Sequence, residues 1–513
     1  MKQPMGETNA DPERTESPTE RGGREGFGAL TSKASSGAVW TIAGHGSEQV
    51  VRLAANLIVT RLLLAEYFGL MALVSVFLIG LQLFSDIGIG PALVQNKRED
   101  PGFVNTVWTI QVLRGLALFS IAFPLAPLFA QFYDEPALTS LIRVSASTAA
   151  IRGFTSTSIY TRSRHLHLRG PVVVQAAGQL AGATVMVAWA WTTRSIWALV
   201  VAGIVTSTVT VVLSHVSLPG IRNRFHFERR AARSLFVFGS WIFFSTLAIF
   251  AANHVDRLIF GKLTTMTTLG VYSIAVMLAL APTQALSTVS NRVLFPLYTR
   301  VHYSDDDLAN VFRTARWPLL VIGGWAAAGF IGGGPTIIRL LYDSRYWEAG
   351  WMIQIMSSGL WFGIVLGGTY GAVVLAVGRS DWTASVSFSK FLTMLAFIPV
   401  GYWFGGFPGA VGGLAVSELV RYAISVFAAA RLGFQERGQD LAMTLRVAVS
   451  AFAGWSSTMG LTEAGIDQVA IHALVVFIVV TAFWAAPLRT LILRIRGDKS
   501  LFGSAAEFSR KAV

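Results

Sequence analysis

About fourteen stretches of this chain are each long and apolar enough to cross a bilayer, and several carry an arginine or a carboxylate near the middle. A spanning helix needs roughly 20 mostly apolar residues. A charge inside one costs at least ~2.5 kcal/mol on insertion scales. The expected fold is therefore an all-α polytopic membrane protein, and its repeated intramembrane charges point to a transporter or channel with a polar interior. Only 13% of the 513 residues are charged and 53% are hydrophobic, against about 25% charged in a soluble domain.

The helices are expected near 37–62, 68–94, 105–131, 138–160, 171–191, 195–215, 234–261, 269–298, 309–338, 349–377, 382–404, 408–431, 441–461 and 468–492. Lys and Arg sort between alternate loops. One set of loops holds fourteen of them, from Lys97 and Arg98 through Arg162, Arg164 and Arg169, then Arg222 to Arg233, to Arg431 and Arg437. The other set holds four: Arg61, Arg194, Lys262 and Arg345. The positive-inside rule puts the first set, and both termini, in the cytoplasm. The net charge of +13 is thus a topology signal, and nucleic acid is excluded as a partner. The first 35 residues are polar and read as a disordered cytoplasmic tail; they hold no cleavable signal peptide.

The chain echoes itself. Ala54-Ala55-Asn56 with Arg61-Leu62 returns as Ala251-Ala252-Asn253 with Arg257-Leu258. Tyr67-Phe68-Gly69-Leu70 returns as Leu269-Gly270-Val271-Tyr272, and Phe132-Tyr133-Asp134 as Leu341-Tyr342-Asp343. With one residue of slippage, the offsets run from 196 to 209 residues, so each unit holds six spans. An even number keeps both units in one orientation, as parallel repeats about an axis along the membrane normal. The expected organisation is a tail over 1–35, an N-lobe over 36–215, a basic cytoplasmic linker over 216–233, a C-lobe over 234–432, two more helices over 433–492, and a cytoplasmic tail over 493–513. The two six-helix lobes would enclose a central cavity and rock against each other for alternating access.

Buried charges nominate the cavity. Glu48 and Arg52 stand i, i+4 on the first helix, so they share a face and can pair. Arg114 lies in the third helix and Arg143 and Arg152 in the fourth. Asp256 and Arg257 are adjacent in the seventh. Gln284 and Arg292 lie on one side of the eighth. Substrate-binding candidates are Glu48, Arg52, Arg114, Asp256, Arg257, Gln284 and Arg292. Asp86, Lys390 and Glu418 are candidates for a hinge or for ion coupling, and each of these charges has an ordinary alternative as a helix lock or cap. Within or near the spans, eight cations (Arg52, Arg114, Arg143, Arg152, Arg257, Arg292, Lys390, Arg421) face four anions (Glu48, Asp86, Asp256, Glu418). A cavity with that excess attracts an anion, and the arginine fork suits phosphate.

There are no cysteines, which excludes disulfides, thiol catalysis and Cys-ligated zinc. No phosphate-binding G-x-x-x-x-G-K-[ST] loop, H-E-x-x-H or G-x-S-x-G occurs, so no enzyme, metal or cofactor is expected. Energy would come from a coupling ion (H+ or Na+), the membrane potential or the substrate's own gradient.

Several runs resemble a known family. Arg61-Leu62-Leu63-Leu64-Ala65-Glu66-Tyr67-Phe68-Gly69 is similar to the A-R-L-L-x-P-E-x-F-G stretch of the polysaccharide transporter family, without its proline and with Thr60 for its alanine. Asp86-Ile87-Gly88, Phe132-Tyr133-Asp134-Glu135-Pro136, Asp256-Arg257-Leu258-Ile259-Phe260-Gly261 and Arg292-Val293-Leu294-Phe295-Pro296 continue the likeness as far as Gly378-Arg379-Ser380-Asp381. Within the multidrug/oligosaccharidyl-lipid/polysaccharide exporter superfamily, the chain looks most like the colanic-acid type of Wzx flippase. The resemblance implies a bacterial inner-membrane flippase for undecaprenyl-pyrophosphate-linked oligosaccharides, serving exopolysaccharide, capsule or O-antigen synthesis. Its partners would be membrane lipid and the polymerase and glycosyltransferase machinery. Competing readings are an ion-coupled multidrug (cation) antiporter of the same fold, a flippase for the peptidoglycan lipid precursor, and a non-transporting scaffold.

Overall fold

A computed structural model describes residues 44, 46–85, 93, 100–165, 167–303 and 307–497. The side chains of 84, 233–249, 292 and 495–497 lie outside the description. A helix stands in each of the fourteen expected stretches. These are α1 (46–62), α2 (Ala65–Phe84), α3 (Pro101–Tyr133), α4 (Ala137–Gly153), α5 (Arg169–Thr193), α6 (Trp197–Val216), α7 (Arg229–Leu263) and α8, which begins at Met266–Val289. They continue with α9 (Leu308–Leu341), α10 (from Ala349–Leu360 to Gly367–Ala376), α11 and α12 (together Ser380–Arg431), α13 (Arg437–Glu463) and α14 (Val469–Gly497). Among the described residues, nine helices are long and apolar enough to cross a membrane, counting α11 and α12 as one. The chain is a multi-pass membrane protein.

Local chemistry sets the helix ends. Asp100 accepts from the Phe103 amide at 3.0 Å and Pro101 opens α3; Asp307 caps α9 through Ala309 and Asn310. Such caps contribute about 1 kcal/mol each. Gly406 separates α11 from α12 with φ of 59° and ψ of −147°, a conformation open essentially to glycine alone. Among the described residues two helices carry a π turn: Ser290–Leu294 carries α8 on into Phe295–Tyr303, and Trp361–Leu366 lies within α10. The expected helix over 138–160 is shorter than its hydropathy suggested. It ends at Gly153, and a separate short helix runs over Ser158–Arg164.

The repeated motifs meet across the lobes. A Cβ on Gly69 would lie 2.0 Å from the Met266 carbonyl, and one on Gly270 would lie 1.8 Å from that of Ala65. Each glycine thus packs on the residue four positions before the other, so α2 and α8 cross nearly backbone to backbone. The tyrosines of the third echo are equally reciprocal. Tyr133, closing α3, donates to the Leu258 carbonyl on α7 at 3.0 Å. Tyr342, closing α9, donates to Asn56 on α1 at 3.4 Å. Contacts in which each unit offers its partner the same patch are the mark of a twofold relation.

These contacts make one end of the molecule a clasp. There Lys262 donates to Asp134 at 2.7 Å and to the Phe132 carbonyl at 2.8 Å. Arg345 donates to the Leu63 and Thr60 carbonyls that end α1, at 3.0 and 3.1 Å. The Arg345 guanidinium holds the Asp343 carboxyl below the usual carboxylate range. Burial, then Glu66 and Asp134, push Glu135 above it. One apolar core, from Val59 and Leu73 through Tyr272 to Met394, fills the space beneath.

At the opposite end, the linker between the lobes lies extended along α3. The amides of Arg224, His226 and Glu228 donate to Asn105, Thr109 and Thr106, each at 3.0 Å. Every second amide of the strand finds a side chain on one helix face, so the linker is satisfied without a sheet. Helices α13 and α14 pack on α9, where Trp325 donates to Thr481 at 3.1 Å.

Candidate functional site

Among the described residues, a large polar opening lies in the N-lobe, in the half away from the clasp. It is a cavity of about 640 Å³ between α2, α3, α4, α5 and α6, with Glu48 of α1 at its edge. That volume falls within the roughly 300–1,000 Å³ of small-molecule sites. Its wall is a set of amides, hydroxyls and guanidinium groups, including Gln82, Arg114, Arg152, Gln175, Gln179 and Thr210.

Helix geometry accounts for this wall. The last carbonyls of a helix have no partner within it. Where α4 ends, the Gln111 amide takes over, donating to the carbonyls of Arg152, Gly153 and Thr155 at 3.4, 3.0 and 3.0 Å. Gly115 and Gly153 allow α3 and α4 to approach until a Cβ at either would lie within 3.2 Å of the other helix's carbonyl oxygen. Arg152 is thereby fixed at the cavity rim, its Nε donating to Ser207 at 3.0 Å. Arg114 is held by Ser85 at 2.9 Å and the Gln82 carbonyl at 2.6 Å.

At the junction of the lobes, Arg52 donates to Gln49 and, across to α8, to Gln284 at 3.5 Å. The expected Glu48–Arg52 pair does not form. Arg52 turns to neutral amide oxygens, one on its own helix and one on the facing lobe. Two candidates from opposite lobes, Arg52 and Gln284, are therefore brought together. Asp86 and the side chain of Arg292 lie outside the described residues.

The C-lobe candidates form a different arrangement. Glu418 is buried and held by Lys390 at 2.6 Å and by Arg421 at 3.3 Å. Lys390 and Glu418 are thus each other's counterion. Asp256 is buried and accepts from the Tyr272 hydroxyl at 2.6 Å, with Arg257 4.0 Å away. Arg257 also reaches His254 at 3.2 Å. Arg143 donates to the Phe123 carbonyl at 3.2 Å and lies over the Phe123 ring, an exposed structural contact.

Two groups escaped the sequence reading. Arg316, fully buried, pairs with Asp440 of α13 at 2.6 Å, and Asp440 also accepts from Tyr370 and Tyr422 at 2.7 Å each. This network ties α13 to the C-lobe, and a count of mid-span charges misses it because both residues lie near helix starts. The glutamine wall is the second group. Gln175 with Gln179, and Thr206 with Thr210, stand i, i+4 in otherwise apolar helices. That spacing was the available signal, and a count of charges does not register it.

A model of the family described as "Polysaccharide biosynthesis protein" matches residues 58–350, more than half of the chain. The teichuronic acid biosynthesis protein TuaB of Bacillus subtilis is 21% identical over 62% of this chain and 67% of its own. The lipopolysaccharide biosynthesis protein WzxC of Escherichia coli is 22% identical over 78% and 81%. Among solved structures, the lipid II flippase MurJ in an inward closed conformation superposes with a TM-score of 0.72 at 13% identity, over 88% of this chain and 99% of that one. An inward-facing multidrug resistance transporter of the MATE family gives 0.61 at 13% identity, over 77% and 95%. The fold is the one these two transporters share.

Proposed function

The chain belongs to the polysaccharide biosynthesis protein family, and from that premise we propose that it is a flippase. It moves undecaprenyl-pyrophosphate-linked oligosaccharide units across the bacterial inner membrane by alternating access, for exopolysaccharide, capsule or O-antigen synthesis. The observation that carries this reading is the pair Arg52 and Arg152. Both are solvent-accessible, and among the described residues their hydrogen-bond partners are neutral: Gln49 and Gln284 for one, Ser207 for the other. A guanidinium kept in a membrane interior without a carboxylate needs an anion to complete it. A pyrophosphate supplies that charge and matches the fork of each arginine. The amide and hydroxyl wall of the N-lobe cavity suits the hydroxyls of the attached sugars. A pocket for cationic drugs would carry the opposite charge balance.

Both termini are cytoplasmic in this reading, so the clasp faces the periplasm and the N-lobe cavity opens inward. The potential favours the transport direction, because each negative charge moved outward gains ~2.3 kcal/mol per 100 mV. A H+ or Na+ gradient can add to that. The polymerase and glycosyltransferase machinery of the same polysaccharide are its proposed partners.

The test is lipid extraction from cells lacking this protein, with leaflet-resolved detection of undecaprenyl-pyrophosphate oligosaccharides. Accumulation on the cytoplasmic side with loss of surface polymer is expected. Unchanged intermediates, in cells that make the polymer and have no second flippase, would overturn the reading.

A further inference from the structure

The C-lobe holds a second, smaller pocket in the place that corresponds to the N-lobe cavity. It lies between α8, α9, α10, α11 and α12, and its volume is about 210 Å³. That is below the roughly 300–1,000 Å³ of sites for drug-sized ligands, so the space fits one small ring and not a chain. We propose that this pocket binds a single sugar ring of the transported glycan, stacked on Trp382 and hydrogen-bonded by Arg421, Asn291 and Ser290. The proposal rests on the flippase reading and adds a glycan subsite to it.

A pyranose has an apolar face of C–H groups and a rim of hydroxyls, and each has a counterpart here. Trp382 lines the pocket, braced edge-on by Phe427 at 5.8 Å. Its indole N–H has no hydrogen-bond partner among the described residues, and a half-buried tryptophan offers both an apolar face and a donor. Glu418 holds one end of the Arg421 guanidinium, leaving its other N–H groups for a ligand oxygen. Ser290 is more than nine-tenths buried, and its hydroxyl has no partner among the described residues. A buried polar atom left in that state costs free energy, which a sugar hydroxyl would recover.

The backbone has made room. Gly368 and Gly371 line the pocket one helical turn apart, and a Cβ on either would meet nothing within 4 Å. Both π turns, Ser290–Leu294 and Trp361–Leu366, contribute to the wall, and such turns concentrate at functional sites. Ser287 and Asn291 share a face of α8 with Gln284, which contacts Arg52. The pocket therefore opens toward the junction where the pyrophosphate would lie.

The test uses the purified full-length protein and two probes, bare undecaprenyl diphosphate and the lipid-linked oligosaccharide extracted from cells lacking this protein. Native mass spectrometry reads the preference for the glycosylated lipid. Gly371→Leu fills the pocket while raising helix propensity, so the fold is spared. Trp382→Leu removes the platform and Trp382→Phe keeps an aromatic one. The expected result is that Gly371→Leu and Trp382→Leu lower the preference at least 10-fold, with bare-lipid binding unchanged and Trp382→Phe close to wild type. A preference that survives both leucine variants, or a parallel loss of bare-lipid binding, would overturn the pocket. If the wild type binds neither probe, the flippase reading itself fails.

Discussion

The two lobes repeat one helix plan, yet their cavities differ in how charge is settled. In the N-lobe, Arg152 leans on a serine, and at the lobe junction Arg52 leans on two glutamines. In the C-lobe, Lys390 and Arg421 close on Glu418, and Arg316 closes on Asp440. Charges that satisfy one another hold helices together. Charges set against neutral groups remain available to a ligand. The same residue types are therefore left against neutral groups on one side of the molecule and are paired on the other, where Arg421 keeps part of its fork free.

That contrast can be broken by mutation. The largest effect is expected from Arg52→Gln with Arg152→Gln, which should cut transport by more than 100-fold in proteoliposomes while insertion and thermal stability stay unchanged. Either change alone should cost about 10-fold. A double variant that transports normally would remove the N-lobe from the mechanism. In the C-lobe the expectation is reversed. Lys390→Met leaves Glu418 short of a counterion, and breaking a buried pair costs ~3–5 kcal/mol. Lys390→Met with Glu418→Met should recover most of that loss, as measured by thermal unfolding in detergent. Asp440→Ala should destabilise by a similar ~3–5 kcal/mol, because Arg316 has no exposure to water.

The clasp is where the lobes behave alike, so its variants should act in pairs. Gly69→Ala and Gly270→Ala each place a methyl about 2 Å from a carbonyl oxygen of the facing helix. Each should raise the reactivity of a cysteine introduced at Tyr342 several-fold, and by similar factors. Unequal effects would show that the twofold relation fails where it looks closest. The smallest effect is on pH. Asp343 has its pKa lowered by Arg345, so its contribution is complete above the unfolded value of about 3.9. It is lost as pH falls through the lower folded value. Thermal stability in detergent should fall on this account only below about pH 4.

Much of this was legible in the chain. Hydropathy places the helices because a bilayer demands that every backbone polar group be satisfied within the spanning segment. The echoes pointed to a duplication, but only the structure puts Gly69, Gly270, Tyr133 and Tyr342 at the contacts between the lobes. The site was legible in part. Arg52 and Gln284 do meet, but Glu48 and Arg52 do not pair, because shared helical spacing permits a contact without choosing it over one from another helix.

The amino-acid sequence by itself determined the class of protein, the number of apolar stretches, the duplication and the excess of positive charge, because each is a sum or a period along the chain. Tertiary structure alone decided which cations are neutralised. Lys390 and Glu418 are 28 residues apart and Arg316 and Asp440 are 124 apart, and no periodicity links such positions. Whether a buried charge becomes a lock or a binding group depends on what lies within about 4 Å of it, and that is set only when the helices pack.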